Sequence, residues 1–207
     1  RPKKFAELVG QKSLIKIITN AINNDRLAHA YILTGVRGVG KTTTARLISM
    51  SINCKERDNN SFEPCGKCNS CKSTGYDNNL DVIEMDAASN TGVDDIRQII
   101  DNVKYKPTFS KYKIFIIDEV HMLSKNAFNA LLKTLEEPPE HVKFIFATTE
   151  VKKIPITVLS RCQRFDLHRI ENKVLSDHLM KISNLEKVEI DPDAISLIVR
   201  SADGSVR

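Results

Sequence analysis

The chain has 207 residues, 41% hydrophobic and 28% charged, with 31 basic against 26 acidic side chains for a net charge of +5. That length supports one sizeable core and a small appendage, and the lack of any apolar run near the length of a membrane span excludes a transmembrane helix and argues against wholesale disorder. The mild positive charge permits a nucleic-acid partner without identifying one, because solvated lysines on helix faces give the same total.

No signal peptide is visible. The chain opens at Arg1-Pro2-Lys3-Lys4 without Met and ends at Gly204-Ser205-Val206-Arg207, so it reads as a piece of something longer. Five cysteines without a secretion signal point to a reducing, cytoplasmic compartment, where clustered thiols more often hold metal than pair.

From Phe5 to Asn23, Leu8, Val9, Leu14, Ile15, Ile18 and Ile22 recur at helical intervals, which predicts a short lead-in and then a helix from about Ser13. Tyr31-Ile32-Leu33-Thr34 reads as a strand and the residues from Thr42 to Met50 as a helix, with Ala45, Leu47 and Ile48 available for burial. Between them, Gly35-Val36-Arg37-Gly38-Val39-Gly40-Lys41-Thr42 fits G-x-x-x-x-G-K-[ST] without a mismatch. A second strand is predicted from Asp81 to Met85. Thr91-Gly92-Val93-Asp94 caps a helix carrying Ile96, Ile99, Ile100 and Val103, which Lys106-Pro107 ends. Ile114-Phe115-Ile116-Ile117 is a continuous apolar run, as expected of a strand buried on both faces, with Asp118 at its C-terminal end. The stretch from Asn126 to Glu136 puts Ala127, Ala130, Leu131, Thr134 and Leu135 on one helix face, and Pro138-Pro139 stops it. Strands at Phe144-Ile145-Phe146-Ala147 and from Arg164 to Leu167 follow. The five strands predict a doubly wound α/β sheet that binds its ligand at the strands' carboxyl ends. After His168 the pattern is all helix: an amphipathic stretch from Glu171 to Ser183, then a helix capped by Asp191-Pro192 and lasting until Gly204. The predicted division is therefore a nucleotide-binding domain over residues 1–168 and the start of a helical lid over residues 169–207.

The glycine-rich loop is predicted to cradle phosphate. Glycines let several backbone N–H groups converge on phosphate oxygens, the following helix adds partial positive charge, and Lys41 reaches the β and γ phosphates of ATP. Thr42 completes the shell of Mg²⁺, with Thr43 next to it in the first helical turn. Asp118 and Glu119 supply what such a cradle lacks: one carboxylate to hold Mg²⁺ through water and one to orient or deprotonate the attacking water. Without the loop upstream, the same pair would read equally well as a cap for the next helix. Thr148 has two readings, a hydroxyl presented to the γ-phosphate or a local turn bond at a strand end. Arg161 also has two, an arginine finger or a solvated surface arginine.

Cys54, Cys65, Cys68 and Cys71 are spaced C-x10-C-x2-C-x2-C, and four thiolates are the usual complement of a closed structural Zn²⁺ site. An iron–sulfur cluster is the competitor, although its fourth cysteine usually follows closely, and unliganded thiols are the plain alternative. Cys162 reads as a small buried apolar residue, and the five histidines as surface or packing residues.

Taken together, Phe5-Ala6-Glu7-Leu8-Val9-Gly10-Gln11, His29-Ala30-Tyr31, Gly38-Val39-Gly40-Lys41-Thr42, the four-cysteine insertion, Asp118-Glu119-Val120-His121-Met122-Leu123-Ser124, Leu131-Leu132-Lys133-Thr134-Leu135-Glu136-Glu137-Pro138-Pro139 and Ser160-Arg161-Cys162 resemble the bacterial DNA polymerase III gamma/tau family. The resemblance covers nearly the whole chain. It implies an AAA+ ATPase domain and lid, working in a ring with other clamp-loader subunits to open a sliding clamp and place it on primer-template DNA. Replicative polymerase and helicase would be reached through regions absent here. By position it makes Lys41 and Thr42 the phosphate-loop pair, Asp118 and Glu119 the acidic pair, Thr148 the first sensor and Arg161 a finger acting on a neighbouring subunit's ATP. Arg207 matches a second sensor, although the helix expected to carry it is missing. Val9 and Gly10 line the base pocket on this reading, and Arg97 is a candidate for DNA-backbone contact as well as an ordinary surface charge. A non-hydrolysing scaffold acting through the cysteines is a competing function, against which the intact Lys41, Thr42, Asp118 and Glu119 count. A branch-migration helicase is another, against which the cysteine insertion and Ser160-Arg161-Cys162 argue.

Overall fold

The computed structural model describes residues 2–24, 26–57, 62–75 and 78–207. Arg1 and residues 58–61 of the predicted cysteine insertion lie outside the described residues. In chain order the elements are α1 (Lys12–Asn23), β1 (Ala30–Thr34), α2 (Lys41–Ile52), α3 (Asn69–Gly75), β2 (Val82–Asp86), α4 (Val93–Val103), β3 (Lys113–Asp118), α5 (Lys125–Glu136), β4 (Val142–Thr148), α6 (Ile156–Leu159), β5 (Gln163–Asp166), α7 (Asn172–Glu186) and α8 (Pro192–Ala202). None of these helices is long and apolar enough to cross a membrane.

The five strands form one parallel sheet in the order β2-β3-β4-β1-β5. The three inner strands are buried almost throughout and mostly apolar, because a strand covered by helices on both faces has no solvent side, and the lysines Lys113 and Lys143 are buried among them. Alternation along them divides the core. In β3, Phe115 and Ile117 face α4 and α5, packing with Ile96, Ile99, Phe128 and Leu131. Ile114 and Ile116 face the other way, toward Leu14 and Ile18 of α1 and Ala45 and Ile48 of α2. Phe115, Phe144 and Phe146 run along the first face with ring centroids 5.4 and 5.8 Å apart.

Helix ends follow local chemistry. Ser124 Oγ accepts the Ala127 N–H (3.2 Å) at the start of α5, and Asp191 accepts that of Asp193 (2.8 Å) at the start of α8. Helix α4 starts as predicted, with the Asp95 carboxylate accepting the Gly92 N–H (3.2 Å). Three expectations shift. The buried arc of α5 is Ala127, Phe128, Leu131 and Leu135, with Ala130 and Thr134 only half buried. Thr148 is the last residue of β4, not the first beyond it. Helix α8 ends at Ala202, because Asp203 (φ 48°) turns left-handed before Gly204 does.

Beyond β5, α7 and α8 pack through Ile170, Leu175, Ile195 and Val199, a cluster that also takes in Val9 from the lead-in. This small layer therefore closes on residues from the start of the chain.

One buried carboxylate organises the far end of the sheet. Asp81 is 1% exposed and accepts N–H groups of Thr108 (2.6 Å), Phe109 (3.0 Å) and Ser110 (2.8 Å). Burial by itself would raise its carboxyl, but these backbone donors outweigh that and hold it below the ordinary value. Asp81→Asn leaves donors unpaired and should cost about 3 kcal/mol in denaturant unfolding at neutral pH. A group held low contributes stability that is present above its unfolded pKa of about 3.9 and is lost as pH falls through the lower folded value. The gap between wild type and variant should therefore shrink only below about pH 4; a gap independent of pH down to acid unfolding would refute the assignment.

Candidate functional site

Parallel pairing sets the site. Thr34 at the end of β1 pairs in register with Thr148 of β4 on one side and Asp166 of β5 on the other, and Asp118 ends β3 beside them. Thr34 donates its hydroxyl to Asp166, which anchors the strand where the glycine-rich loop leaves it.

The loop needs its glycines for two physical reasons. At Gly35 (φ 147°) a side chain would stand 2.6 Å from the Leu167 carbonyl oxygen, so the backbone approaches too closely for any Cβ. A Cβ on Gly40 (φ 96°) would meet only ordinary contact, with Leu8 Cδ2 at 3.8 Å, and there the left-handed conformation alone favours glycine. Val39 plugs the loop into the core at 1% exposure, while Val36 and Arg37 project at its tip. Lys41 opens α2 at 6% exposure, its ammonium donating to the carbonyls of Gly35 (2.9 Å) and Val36 (3.1 Å). Burial pushes this lysine's pKa below its ordinary value, and Glu119 and Asp118 pull it back up. Thr42 Oγ1 donates to Asp118 Oδ2 (2.6 Å), and Thr43 is half buried in the same turn.

Glu119 sits in a left-handed conformation (φ 45°) that costs a non-glycine residue about 1–3 kcal/mol and marks sites where position matters more than stability. Its Oε2 accepts the N–H (3.2 Å) and hydroxyl (3.0 Å) of Thr149. The fully buried Thr148 hydroxyl accepts the Glu150 N–H (3.0 Å), so the local turn bond foreseen for it exists, and it also meets His121 Nδ1 (3.0 Å).

His121 corrects the reading of the histidines. Its side chain is 6% exposed, with Nδ1 3.4 Å from Glu119 Oε2 and Nε2 3.4 Å from Glu150 Oε1. The signal available was its place two residues after Glu119, on a 3-10 turn (Val120–Met122) that folds it back against β4. Thr149 was missed for a similar reason: as the second of two threonines, it drew attention only through its neighbour.

The other predicted residues divide. Arg207 is brought to the loop: Val206 donates its N–H to the Gly38 carbonyl (3.0 Å), and a Cβ on Gly38 would stand 3.2 Å from that of Arg207 and collide with Ser205. Among the described residues, Arg207 lies in the backbone that follows α8. Arg161 lies elsewhere, its guanidinium bound to the Thr157 carbonyl of α6 (2.6 Å) and to Glu136 at the end of α5 (2.7 Å). Arg97 is exposed and paired with Asp94 at 2.8 Å. Val9 and Gly10 rest on Ile170, where the lead-in meets the helical layer. Cys162 packs against the core, and burial raises its thiol to about 12.

The four remaining cysteines converge, with all Sγ atoms within 4.8 Å of one another and Cys65 and Cys71 Sγ 4.0 Å apart. Sulfurs at the corners of a tetrahedron about 2.3 Å from zinc stand about 3.8 Å apart, so the donor set fits that ion. Backbone N–H groups of Cys68 (3.3 Å) and Lys67 (3.4 Å) point at Cys65 Sγ, and that of Cys65 (3.3 Å) at Cys54 Sγ, as suits thiolates. Burial works against the Cys68 thiolate, but the N–H groups of Cys71 and Lys55 outweigh it and bring the thiol down to about 7.

The chain has similar proteins among those of known family. Residues 10–171 match the family model described as DNA polymerase III, delta subunit. The whole chain is 47% identical to DNA polymerase III subunit tau/gamma of Haemophilus influenzae, 48% to subunit tau of Bacillus subtilis and 46% to subunit tau of Escherichia coli. It spans 30, 36 and 32% of their respective lengths. Among solved structures, the Thermotoga maritima Holliday junction branch migration motor RuvB is 21% identical with a TM-score of 0.68, over 99% of this chain and 61% of that one. That likeness is one of fold, a parallel sheet covered by helices with a helical layer beyond it.

Proposed function

The chain belongs to the DNA polymerase III family that the delta-subunit model describes, on its gamma/tau side, and from that premise we propose that it is the ATP-hydrolysing motor of a clamp loader. In this reading it works in the cytoplasm, in a ring with other loader subunits, and ATP binding and hydrolysis drive a sliding clamp onto primed DNA. The observation that carries the proposal is the meeting of Thr42 and Asp118 at 2.6 Å beside the buried Lys41, which joins a phosphate cradle to an acidic pair across the strand ends. The division into a nucleotide-binding body over residues 1–168 and a lid over residues 169–207 belongs to the same proposal.

The roles follow from position. The loop N–H groups and the start of α2 hold the phosphates of ATP. Lys41 exchanges its two carbonyl partners for phosphate oxygens, which relieves a buried ammonium held only by neutral acceptors. Thr42 and Asp118 would hold Mg²⁺, which when bound withdraws charge from the phosphates. Glu119 leaves Thr149 to orient the attacking water and take its proton. Thr148 faces the terminal phosphate, Arg207 approaches it from beyond α8, and Arg161 serves a neighbouring subunit's ATP. Val9 and Gly10 border the base, the four cysteines hold zinc, and Arg97 meets the DNA backbone.

The test is Glu119→Gln in the full-length, ring-assembled protein. Nucleotide binding should persist while clamp- and DNA-stimulated hydrolysis falls about 10²–10⁴-fold. Undiminished turnover would remove Glu119 from the reaction. A wild-type ring that binds clamp and primed DNA yet never hydrolyses ATP would favour the scaffold reading.

A further inference from the structure

The cysteine insertion is fastened to the segment that precedes α1. Ser51, near the end of α2, donates its hydroxyl to the Phe62 carbonyl, so the chain returns to the place it left. Glu63, two residues before Cys65, then spans to the start of the chain: Oε2 accepts the Phe5 N–H (2.8 Å) and Oε1 the Ala6 N–H (2.9 Å). Phe5 begins a 3-10 turn (Phe5–Glu7), whose leading N–H groups have no partner within the turn, and a carboxylate there satisfies two of them at once. The Phe62 ring lies 5.4 Å from that of Phe5, which is 1% exposed and shares its apolar cluster with Val39 of the phosphate loop.

The same segment borders the nucleotide site at its other end. Leu8 Cδ2 is 3.8 Å from where a Cβ on Gly40 would stand, Gly10 lies on Ile170, and Gln11 Nε2 donates to the His168 carbonyl (3.0 Å). Residues 5–11 thus run from the insertion, past the phosphate loop, to the helical layer.

We propose that Glu63 is a positioning residue through which the metal-loaded insertion holds residues 5–11 against the nucleotide site, so that filling the four cysteines tightens the binding of an adenine nucleotide. The proposal rests on the nucleotide reading above and deepens it. Among the described residues the four cysteines pack only with Met50, while Phe62 rests on the cluster around Phe5 and takes the Ser51 hydroxyl, so metal at Cys65 is what fixes the far side of residues 62–65. With Glu63 adrift, two N–H groups lose their acceptor, and nucleotide binding must then order the segment as well.

The experiment uses the full-length protein and compares wild type, Glu63→Ala and Glu63→Gln with and without a chelator. It reads zinc content, hydrogen exchange over residues 5–11 and affinity for ADP, with Lys41→Ala as control. Glu63→Ala should keep its zinc, exchange faster at Phe5 and Ala6, and bind ADP about tenfold more weakly, with the change in ATP turnover falling on KM more than on kcat. Glu63→Gln, which retains one acceptor oxygen, should recover part of both effects. Chelation should reproduce the loss in wild type, zinc should reverse it, and chelated Glu63→Ala should lose nothing further. Wild-type exchange and affinity in zinc-loaded Glu63→Ala would overturn the proposal, as would equal weakening by chelator in variant and wild type. Loss of zinc from both variants would also overturn it, because Glu63 would then act on the insertion's own fold. Equal ADP binding by wild type and Lys41→Ala would instead sink the nucleotide reading, leaving hydrogen exchange to decide the coupling.

Discussion

Full-length rings in which every copy of this subunit carries Arg161→Ala are expected to bind ATP normally and hydrolyse it about 10³–10⁵-fold more slowly. Arg161 lies in the turn just after the short α6, far along the chain from its own glycine-rich loop, and its bonds run to Thr157 and Glu136. Its ion pair with Glu136 is half exposed, and such pairs are worth about 0–1 kcal/mol, so the guanidinium is free to exchange it for phosphate charge on a neighbour. On the proposed reading, Lys41→Ala should abolish activity differently, by removing the ammonium that would anchor the phosphates. Mixing the two variants is decisive: a subunit lacking Lys41 still offers Arg161 to a neighbour whose own cradle is intact. Recovery of stimulated hydrolysis in mixed rings would establish action across the boundary, and full activity of Arg161→Ala alone would end the finger assignment.

The second large effect concerns the metal. Cys71→Ser, or chelation of the wild type, should unfold the insertion while leaving the sheet intact. Metal binding supplies about 10–16 kcal/mol of folding energy in zinc-finger peptides, and this insertion has few other resources. Cys71 is the most buried of the four thiols at 1% exposure, and burial raises its pKa strongly, so only a metal makes its thiolate favourable there. The two core clusters flanking the sheet include none of the four cysteines, which is why amides of β3 and β4 should keep their slow hydrogen exchange. Colourless protein carrying one zinc is the expected composition. Visible absorption with bound iron would make the site an iron–sulfur cluster, and full protection of residues 62–75 after chelation would make the metal dispensable.

Much of this architecture could be read before any coordinates. A strand covered on both faces is apolar along most of its length, so Ile114-Phe115-Ile116-Ile117 announced β3 and put Asp118 at its carboxyl end. The glycine-rich loop was legible because its glycines, Lys41 and Thr42 lie together between β1 and α2, and the convergence of the four cysteines because their spacings are short. The last helix was placed too long because the left-handed turn begins at Asp203, a residue whose side chain resists that conformation less than most, ahead of the glycine expected to make it.

What only the tertiary structure decided are pairings across distance. His121 reads locally as one polar residue in a short turn; it joins the site because β3 lies beside β4, bringing it to Thr148, Glu119 and Glu150. Arg207 reaches the loop through the Val206–Gly38 bond, and Glu63 reaches Phe5 across 58 residues. By itself the sequence determined the elements, the glycine-rich turn between β1 and α2 and the clustering of the four cysteines, because periodicity and close spacing act through neighbouring residues. Strand order and the approach of the chain's two ends to the phosphate loop follow from how helices cover both faces of the sheet, a balance of packing that no single stretch of residues encodes.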